Sequence, residues 1–345
     1  MPLVGTLSSS LPLIIVFFFS SLLTLSVPSQ CSTPLSRQPS DNSEALLCLR
    51  NHLSNSNRAG SLPPSWNNDS SAQFCSWSGV TCSKRHSSSR VVALDLESLG
   101  LHGQIPPCIG NLTFLTRIHL PNNQLHGQIP AELGQLNRLR YLNLSSNIDS
   151  ATLSSCLGFQ TIDLASNSLS GGIPEGLGTL GNLSVLSLSE NYLTGNIPVS
   201  LGSGSSLVSV ILNNNSLTGP IPSLLANCSS LQELAVRNNH LSGEIPPSLF
   251  NSTSLEMLVL AVNNFVGPIP ALSNTDSPLQ YLLLDSNDLE GTIPSTLGNF
   301  SSLLWLKLGN NGFHGSIPMS IGKIANLQLL DMTYNNLSGA VPDSL

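Results

Sequence analysis

Histidine and cysteine are the side chains in this chain best suited to metal binding or nucleophilic catalysis, and there are seven of each. The histidines are scattered, and His102, His126 and His314 share a position just before a glycine, which is typical of a solvated turn. No His-Glu-x-x-His motif, phosphate-binding glycine loop or nucleophile elbow occurs. We therefore predict no catalytic residue, no metal site and no cofactor, and hence no enzyme.

The cysteines indicate a structural role instead. Cys75 and Cys82 enclose the segment FCSWSGVTC, and in an exported protein two cysteines this close indicate a local disulfide. Cys48 lies on the apolar face of a predicted helix, while Cys108, Cys156 and Cys228 occupy similar places in a repeat. We predict that these four are small buried apolar residues.

A 24-residue period dominates the chain and must position everything else. Asparagine recurs in the frame Leu-x-Leu-x-x-Asn, in steps of 24 except for one step of 20 between Asn147 and Asn167. The asparagines of this frame are Asn123, Asn147, Asn167, Asn191, Asn215, Asn239, Asn263, Asn287, Asn311 and Asn335. Such a period predicts a solenoid, with each Leu-x-Leu in a short strand of a parallel sheet and the asparagines in a hydrogen-bonded ladder.

The frame continues with a Leu-x-Gly-x-Ile-Pro segment, for example LTGNIP at 193 and LSGEIP at 241. Ten such segments resemble the plant-type leucine-rich repeat. The resemblance implies an α/β solenoid over 91–345, a right-handed superhelix of eleven repeats with a parallel β-sheet on its concave face. The coil that follows Asn147 lacks the Gly-x-Ile-Pro segment, so we expect a local distortion of the convex side there.

Residues 41–90 resemble the N-terminal cap of plant leucine-rich-repeat receptors. Ala45, Leu46, Leu49 and Leu53 share one helical face, and a Cys-x-Trp-x-Gly-Val-x-Cys segment follows. A solenoid needs a cap because its first coil would otherwise expose leucine to water. We therefore expect a small helical, disulfide-bonded cap with Trp77 in its core.

The N-terminus indicates export. Residues 11–27 are apolar and uncharged, shorter than a spanning helix of about 20 residues, and we predict a signal peptide over 1–29 that is cleaved. Nine Asn-x-Ser/Thr sequons support passage through the secretory pathway, to the apoplast or the outer face of the plasma membrane. The best glycosylation candidates are Asn68, Asn111, Asn182, Asn227, Asn251 and Asn299.

Binding is expected where variable residues point away from the core. The residues four and six before each asparagine form two outward columns, which are polar early and become apolar and aromatic from Met257 onward. The predicted ligand-binding residues are Met257, Val259, Tyr281, Leu283, Trp305, Lys307, Asp331 and Tyr334. Such a cluster is typical of binding hot spots. The alternative is that aromatic and β-branched residues favour strands and stack across coils.

The resemblance implies that the chain is the extracellular recognition region of a plant receptor. Such a region would bind a peptide or protein ligand in defence signalling, and it would pair with a co-receptor that carries similar repeats. A developmental receptor fits the same residues. A secreted inhibitor of a pathogen cell-wall hydrolase, similar to polygalacturonase inhibitors, is the alternative, although no cysteine follows Cys228 to close a C-terminal cap. A non-functional receptor fragment is a further alternative. We expect contact with a membrane only through an uncleaved signal or a segment missing after Leu345. Only 9% of residues are charged and the net charge is −7, which gives no basic surface for nucleic acid.

Overall fold

The computed structural model describes residues 42–53, 62–67, 71–83, 90–127, 129–147, 159–203, 206–271 and 277–345. The predicted signal peptide, the sequon at Asn68, Cys156 and the part of the short coil from 148 to 158 lie outside these residues.

The Leu-x-Leu segments form the first sheet, which has twelve strands in the described part of the chain. The strands follow one another in chain order, and all the pairs are parallel except the first, which is antiparallel. The 24-residue period sets the register, so that Glu233 lies beside Met257 and Met257 beside Tyr281. The strands are Val80–Ser83, Arg90–Asp95, Arg117–His119, Tyr141–Asn143, Thr161–Asp163, Val185–Ser187, Ser209–Ile211, Glu233–Ala235, Met257–Val259, Tyr281–Leu283, Trp305–Lys307 and Leu329–Asp331.

A second set of parallel strands follows the ladder asparagines. Glycine at the centre of the Leu-x-Gly segment has a positive φ in these coils, +74° at Gly195 for example, a conformation that glycine adopts without strain. The strands of this second sheet are Ser170–Gly172, Tyr192–Asn196, Ser216–Gly219, His240–Glu244, Asn264–Gly267, Asp288–Thr292, Gly312–Gly315 and Asn336–Leu337. His102–Gly103 and Gln124–Leu125 form a separate pair, so within the described residues this sheet is interrupted between Leu125 and Ser170.

Short helices complete the coils. The α-helices are Asn42–Leu53 and Pro247–Phe250. The 3₁₀-helices are Pro64–Asn67, Ser71–Ser76, Pro107–Asn111, Ala131–Gln135, Glu175–Thr179, Val199–Ser203, Ser223–Asn227, Ser295–Asn299 and Met319–Lys323. Most of the 3₁₀-helices in the repeats follow a proline that cannot donate a backbone hydrogen bond and therefore ends the preceding extended segment.

The asparagine ladder is confirmed. Asn215 accepts a hydrogen bond at Oδ1 from the Leu193 amide (3.0 Å), and its Nδ2 donates to the carbonyls of Leu188 (3.0 Å) and Leu212 (3.2 Å). Each asparagine thus joins its own coil to the preceding one. The ladder continues across the 20-residue step, where the amide of Asn147 donates to Oδ1 of Asn167 at 3.2 Å. The first sheet therefore keeps its register at the short coil.

The cap has the predicted helix, with Ala45, Leu46, Leu49 and Leu53 all buried. Trp77 is 2% exposed, and its ring lies 4.8 Å from that of Trp66 between centroids. The prediction of Trp77 as a core residue is confirmed.

Two disulfides fix the cap. The short-loop disulfide, Cys75–Cys82, is the one predicted. The prediction of Cys48 and Cys108 as unpaired apolar residues was wrong, because they form a long-loop disulfide that spans 60 residues. The cap helix packs on the 3₁₀-helix Pro107–Asn111, which brings the two Cα atoms to 6.5 Å. Cys228 is buried as predicted, and burial raises the pKa of its thiol.

Candidate functional site

The outward face of the first sheet, here called the strand face, is the candidate site. In each strand of the repeats the middle residue points into the core, and its two neighbours point outward because side chains alternate along a strand. Leu282 is fully buried, for example, whereas Tyr281 and Leu283 on either side of it are half-buried. The two outward columns expected from the sequence are therefore present.

An aromatic pair lies at the centre of the predicted binding residues. Tyr281 and Trp305 are register partners on adjacent strands, and their rings meet edge to face with centroids 5.5 Å apart. The Trp305 side chain remains 38% exposed. This edge-to-face geometry stabilises the pair and leaves an indole surface open to a partner.

The other predicted residues extend this pair along the sheet. Met257 lies beside Tyr281, and Leu283 lies between Val259 and Lys307 in the second column. Val259 is only 8% exposed, so it forms the floor of the surface and offers little area for contact. The strand-face patch is defined here as Met257, Tyr281, Leu283, Trp305, Lys307, Asp331 and Tyr334.

A polar depression of about 410 Å³ adjoins the strand-face patch. It is lined by Asp285, Ser286, Gly309, Asn310, Asp331, Thr333 and Tyr334. Gly309 keeps it open, because a Cβ atom there would lie 3.0 Å from Asp331 Oδ1 and 3.1 Å from Thr333 Oγ1. Tyr334, with a positive φ of 53° and 85% exposure, forms one wall.

Two carboxylates line the depression, and each has a cationic side chain nearby. Asp331 Oδ1 accepts hydrogen bonds from the Thr333 amide (3.0 Å) and hydroxyl (2.7 Å), which, together with Lys307, lower the pKa of that carboxyl. Oδ2 of Asp285 lies 3.8 Å from a guanidinium nitrogen of Arg237. Oδ1 of Asp285 is buried and has no hydrogen-bond partner in the described part of the chain. Two carboxylates beside an aromatic pair favour a ligand that carries both a cationic and an apolar group.

Sequence reasoning missed Asp285, Gly309 and Thr333, which share the position two before a ladder asparagine. That position also faces outward, so a third column in the repeat frame would have identified them. Sequence reasoning placed His119 in an outward column but missed Asp95 and Glu97 beside it, at the opposite end of the strand face. Among the described residues these three form the group whose donor atoms are close enough together to hold a metal ion.

The glycosylation candidates that the structure describes lie off the strand face. Asn182, Asn251 and Asn299 are exposed and Asn111 is half-buried. Their occupancy stays a prediction, as does that of Asn227. Within the described ranges, no helix is both long and apolar enough to cross a membrane.

Comparison with protein families gives two matches. The model described as "Leucine rich repeat N-terminal domain" matches residues 39–83. The model described as "Leucine Rich Repeat" matches 158–180, 182–203, 206–228, 230–252, 278–300 and 326–345.

Comparison with individual proteins points to plants. An LRR receptor-like serine/threonine-protein kinase EFR of Arabidopsis thaliana is 42% identical over 80 residues, which are 23% of this chain and 7% of that relative. The match therefore spans a small part of the relative's length.

Several solved structures cover most of the chain, and two of them differ in what they bind. The Arabidopsis receptor kinase HAESA, in complex with the peptide hormone IDA and the co-receptor SERK1, is 29% identical with a TM-score of 0.63, over 88% of this chain and 59% of that one. A plant ice-binding protein is 28% identical with a TM-score of 0.68, over 88% of both chains. The same fold thus accompanies different ligands, and the side chains of the strand face must decide between them.

Proposed function

We propose that this chain, which belongs to the leucine-rich-repeat proteins, is an extracellular module that recognises a peptide or protein on its strand face. The observation that carries the proposal is the exposed Tyr281–Trp305 pair beside the acidic depression. An ice-binding surface is expected to be flat and regular, whereas the strand face of this chain combines aromatic rings, carboxylates and a depression. The receptor complex with a peptide hormone and a co-receptor supports a peptide ligand and a second repeat protein as partners.

Two finer parts of the proposal rest on the kinship with plant receptor kinases. The first is a role in receptor signalling, which the similarity to a receptor-like kinase supports, with defence as the process that the cap and repeat motifs favour. The second is a location outside the cell, on the outer face of the plasma membrane or in the apoplast. In this proposal the described repeats bind and do not catalyse.

The proposal is tested with peptides selected from a random display library on the immobilised wild-type chain. The affinity of the selected peptides is then measured by calorimetry on a Trp305→Ala, Tyr281→Ala double variant. A central aromatic hot spot contributes about 2 kcal/mol or more, so we expect the affinity to fall at least about thirtyfold. We also expect the selected peptides to be enriched in Lys or Arg.

Tyr192→Ala is the matched control, because Tyr192 is 66% exposed but begins a strand of the second sheet. We expect it to leave the affinity of the selected peptides unchanged, and all the variants to melt near the wild-type temperature. Equal affinity of the selected peptides for the double variant and the wild type would show that the strand-face patch is not their binding site.

A further inference from the structure

The far end of the strand face carries a different constellation of side chains. Asp95 ends its strand and His119 ends the next, and the two are register partners. Glu97 follows Asp95 by two residues, so the turn after the strand returns its carboxylate to the same face. One imidazole and two carboxylates thus come from adjacent coils, with one potential donor atom of each within 4.8 Å of the others.

The imidazole is held in a fixed orientation. His119 is only 14% exposed in its side chain, and its Nε2 lies 3.2 Å from Glu97 Oε2. Its other nitrogen, Nδ1, lies 3.4 Å from the hydroxyl of Tyr141, which in turn accepts a hydrogen bond from Asn143. An outer hydrogen bond of this kind orients a metal-binding histidine and fixes which nitrogen faces the metal.

The carboxylates are oriented as well. The Nδ2 of Asn122 donates to Oε1 of Glu97 at 3.4 Å, which leaves Oε2 toward the imidazole. Arg117 approaches Asp95 only to 4.0 Å, and its guanidinium lies 3.9 Å from the centroid of the Tyr141 ring. Arg117 therefore interacts mainly with the Tyr141 ring, although its positive charge competes with a metal cation for Asp95.

From these contacts we propose that Asp95, Glu97 and His119 form a binding site for a divalent transition-metal ion, of which Zn²⁺ suits the donor set best. Imidazole and carboxylate ligands bind Zn²⁺ at about 2.0–2.2 Å, which requires donor atoms about 3.3 Å apart. The Nε2–Oε2 distance already meets this requirement, and rotation of the half-exposed Asp95 side chain closes the rest.

Three protein ligands leave a coordination position open. Because the site faces solvent on the strand face, that position is available to a carboxylate or imidazole of a binding partner. The ion would also neutralise the two carboxylates, whose charge Arg117 compensates only in part.

The test is calorimetric titration of ZnCl₂ into the secreted full chain after removal of metals by a chelator. We expect one Zn²⁺ per chain, with affinity reduced at least about tenfold in His119→Ala and in Glu97→Gln. Tyr141→Phe removes the outer hydrogen bond and is expected to cause a smaller loss. Arg117→Gln is expected to raise the affinity, which a merely structural role of Arg117 does not predict.

His126→Ala is the control, since His126 is an exposed histidine in the same coil as His119, seven residues further along the chain. Its Zn²⁺ affinity should equal that of the wild type. Replacement of Zn²⁺ by Co²⁺ gives a second readout, because visible absorption bands of bound Co²⁺ should appear in the wild type and in His126→Ala but not in His119→Ala. Absence of binding at millimolar Zn²⁺, or equal affinity of His119→Ala and wild type, overturns the proposal.

Discussion

Replacing one ladder asparagine by alanine should destabilise the solenoid by an amount that the hydrogen bonds determine. In the wild type Asn263 is 7% exposed and accepts a hydrogen bond from the Leu241 amide at 3.0 Å. Its Nδ2 donates to the carbonyls of Val236 (2.9 Å) and Leu260 (3.1 Å) and, more weakly, to that of Ala261 (3.3 Å). The Asn263→Ala substitution removes all four contacts at once.

The four lost contacts are not equivalent, because the carbonyls have second donors. Val236 still accepts from Asn239, and Leu260 still accepts from Asn287. The Leu241 amide is the group left in a buried position without an acceptor. An orphaned buried amide costs about 1–3 kcal/mol, and the weakened carbonyl contacts add about 1 kcal/mol more, so we expect the free energy of unfolding to fall by about 3 kcal/mol.

Asn264→Ala is a close control, since Asn264 is the next residue and its side chain is exposed. It should change the free energy of unfolding by less than about 0.5 kcal/mol. Urea unfolding followed by circular dichroism measures both variants, and hydrogen exchange should show faster exchange at the Leu241 amide in Asn263→Ala. Equal stabilities of the two variants would refute the assignment of the ladder as a major source of stability.

Two further predictions concern the cap and the depression. Cys48→Ser should lower the free energy of unfolding by about 4 kcal/mol, whereas opening the short-loop disulfide should lower it by about 2 kcal/mol. The difference arises because loop-closure entropy grows with the sequence separation of the two cysteines, which is 60 residues in the first disulfide and 7 in the second. A larger loss of stability in urea for the short-loop variant than for Cys48→Ser would contradict this. Thr333→Ala removes one hydrogen bond to Asp331 and should raise the pKa of that carboxyl, as measured by NMR titration. Because the folded pKa is lowered, the stabilisation is present at neutral pH and is lost as the pH falls below the ordinary 3.8, and an unchanged pKa in the variant would contradict this account.

The periodic part of the fold could be predicted from the sequence because every coil has the same structural requirements. Each strand needs a buried leucine, and each turn needs partners for its buried backbone groups, so leucine and asparagine recur at fixed places. The frame even predicted which residues flank Leu282 on the outward face. A single repeat unit thus contains nearly all the information about its own backbone.

Contacts between elements that are not one period apart could not be predicted in this way. The long-loop disulfide depends on how the cap helix packs on the first repeat, and no pattern near Cys48 or Cys108 indicates the distance between them. The apolar helix face around Cys48 favoured a core residue instead. The depression likewise depends on Gly309, because a side chain at that position would fill the space. The sequence pattern gives no sign that this space exists.

The distance between the two sites limits how they can act together. Eight strand-to-strand steps separate the strand of His119 from that of Trp305. At ~4.8 Å per step this is ~38 Å along the sheet. An extended peptide advances by ~3.3 Å per residue and needs about twelve residues to reach from one site to the other. A shorter peptide that occupies the strand-face patch should therefore bind equally well with and without Zn²⁺. A dependence of its affinity on Zn²⁺ would mean that the ligand lies elsewhere, or that a longer partner follows the whole strand face.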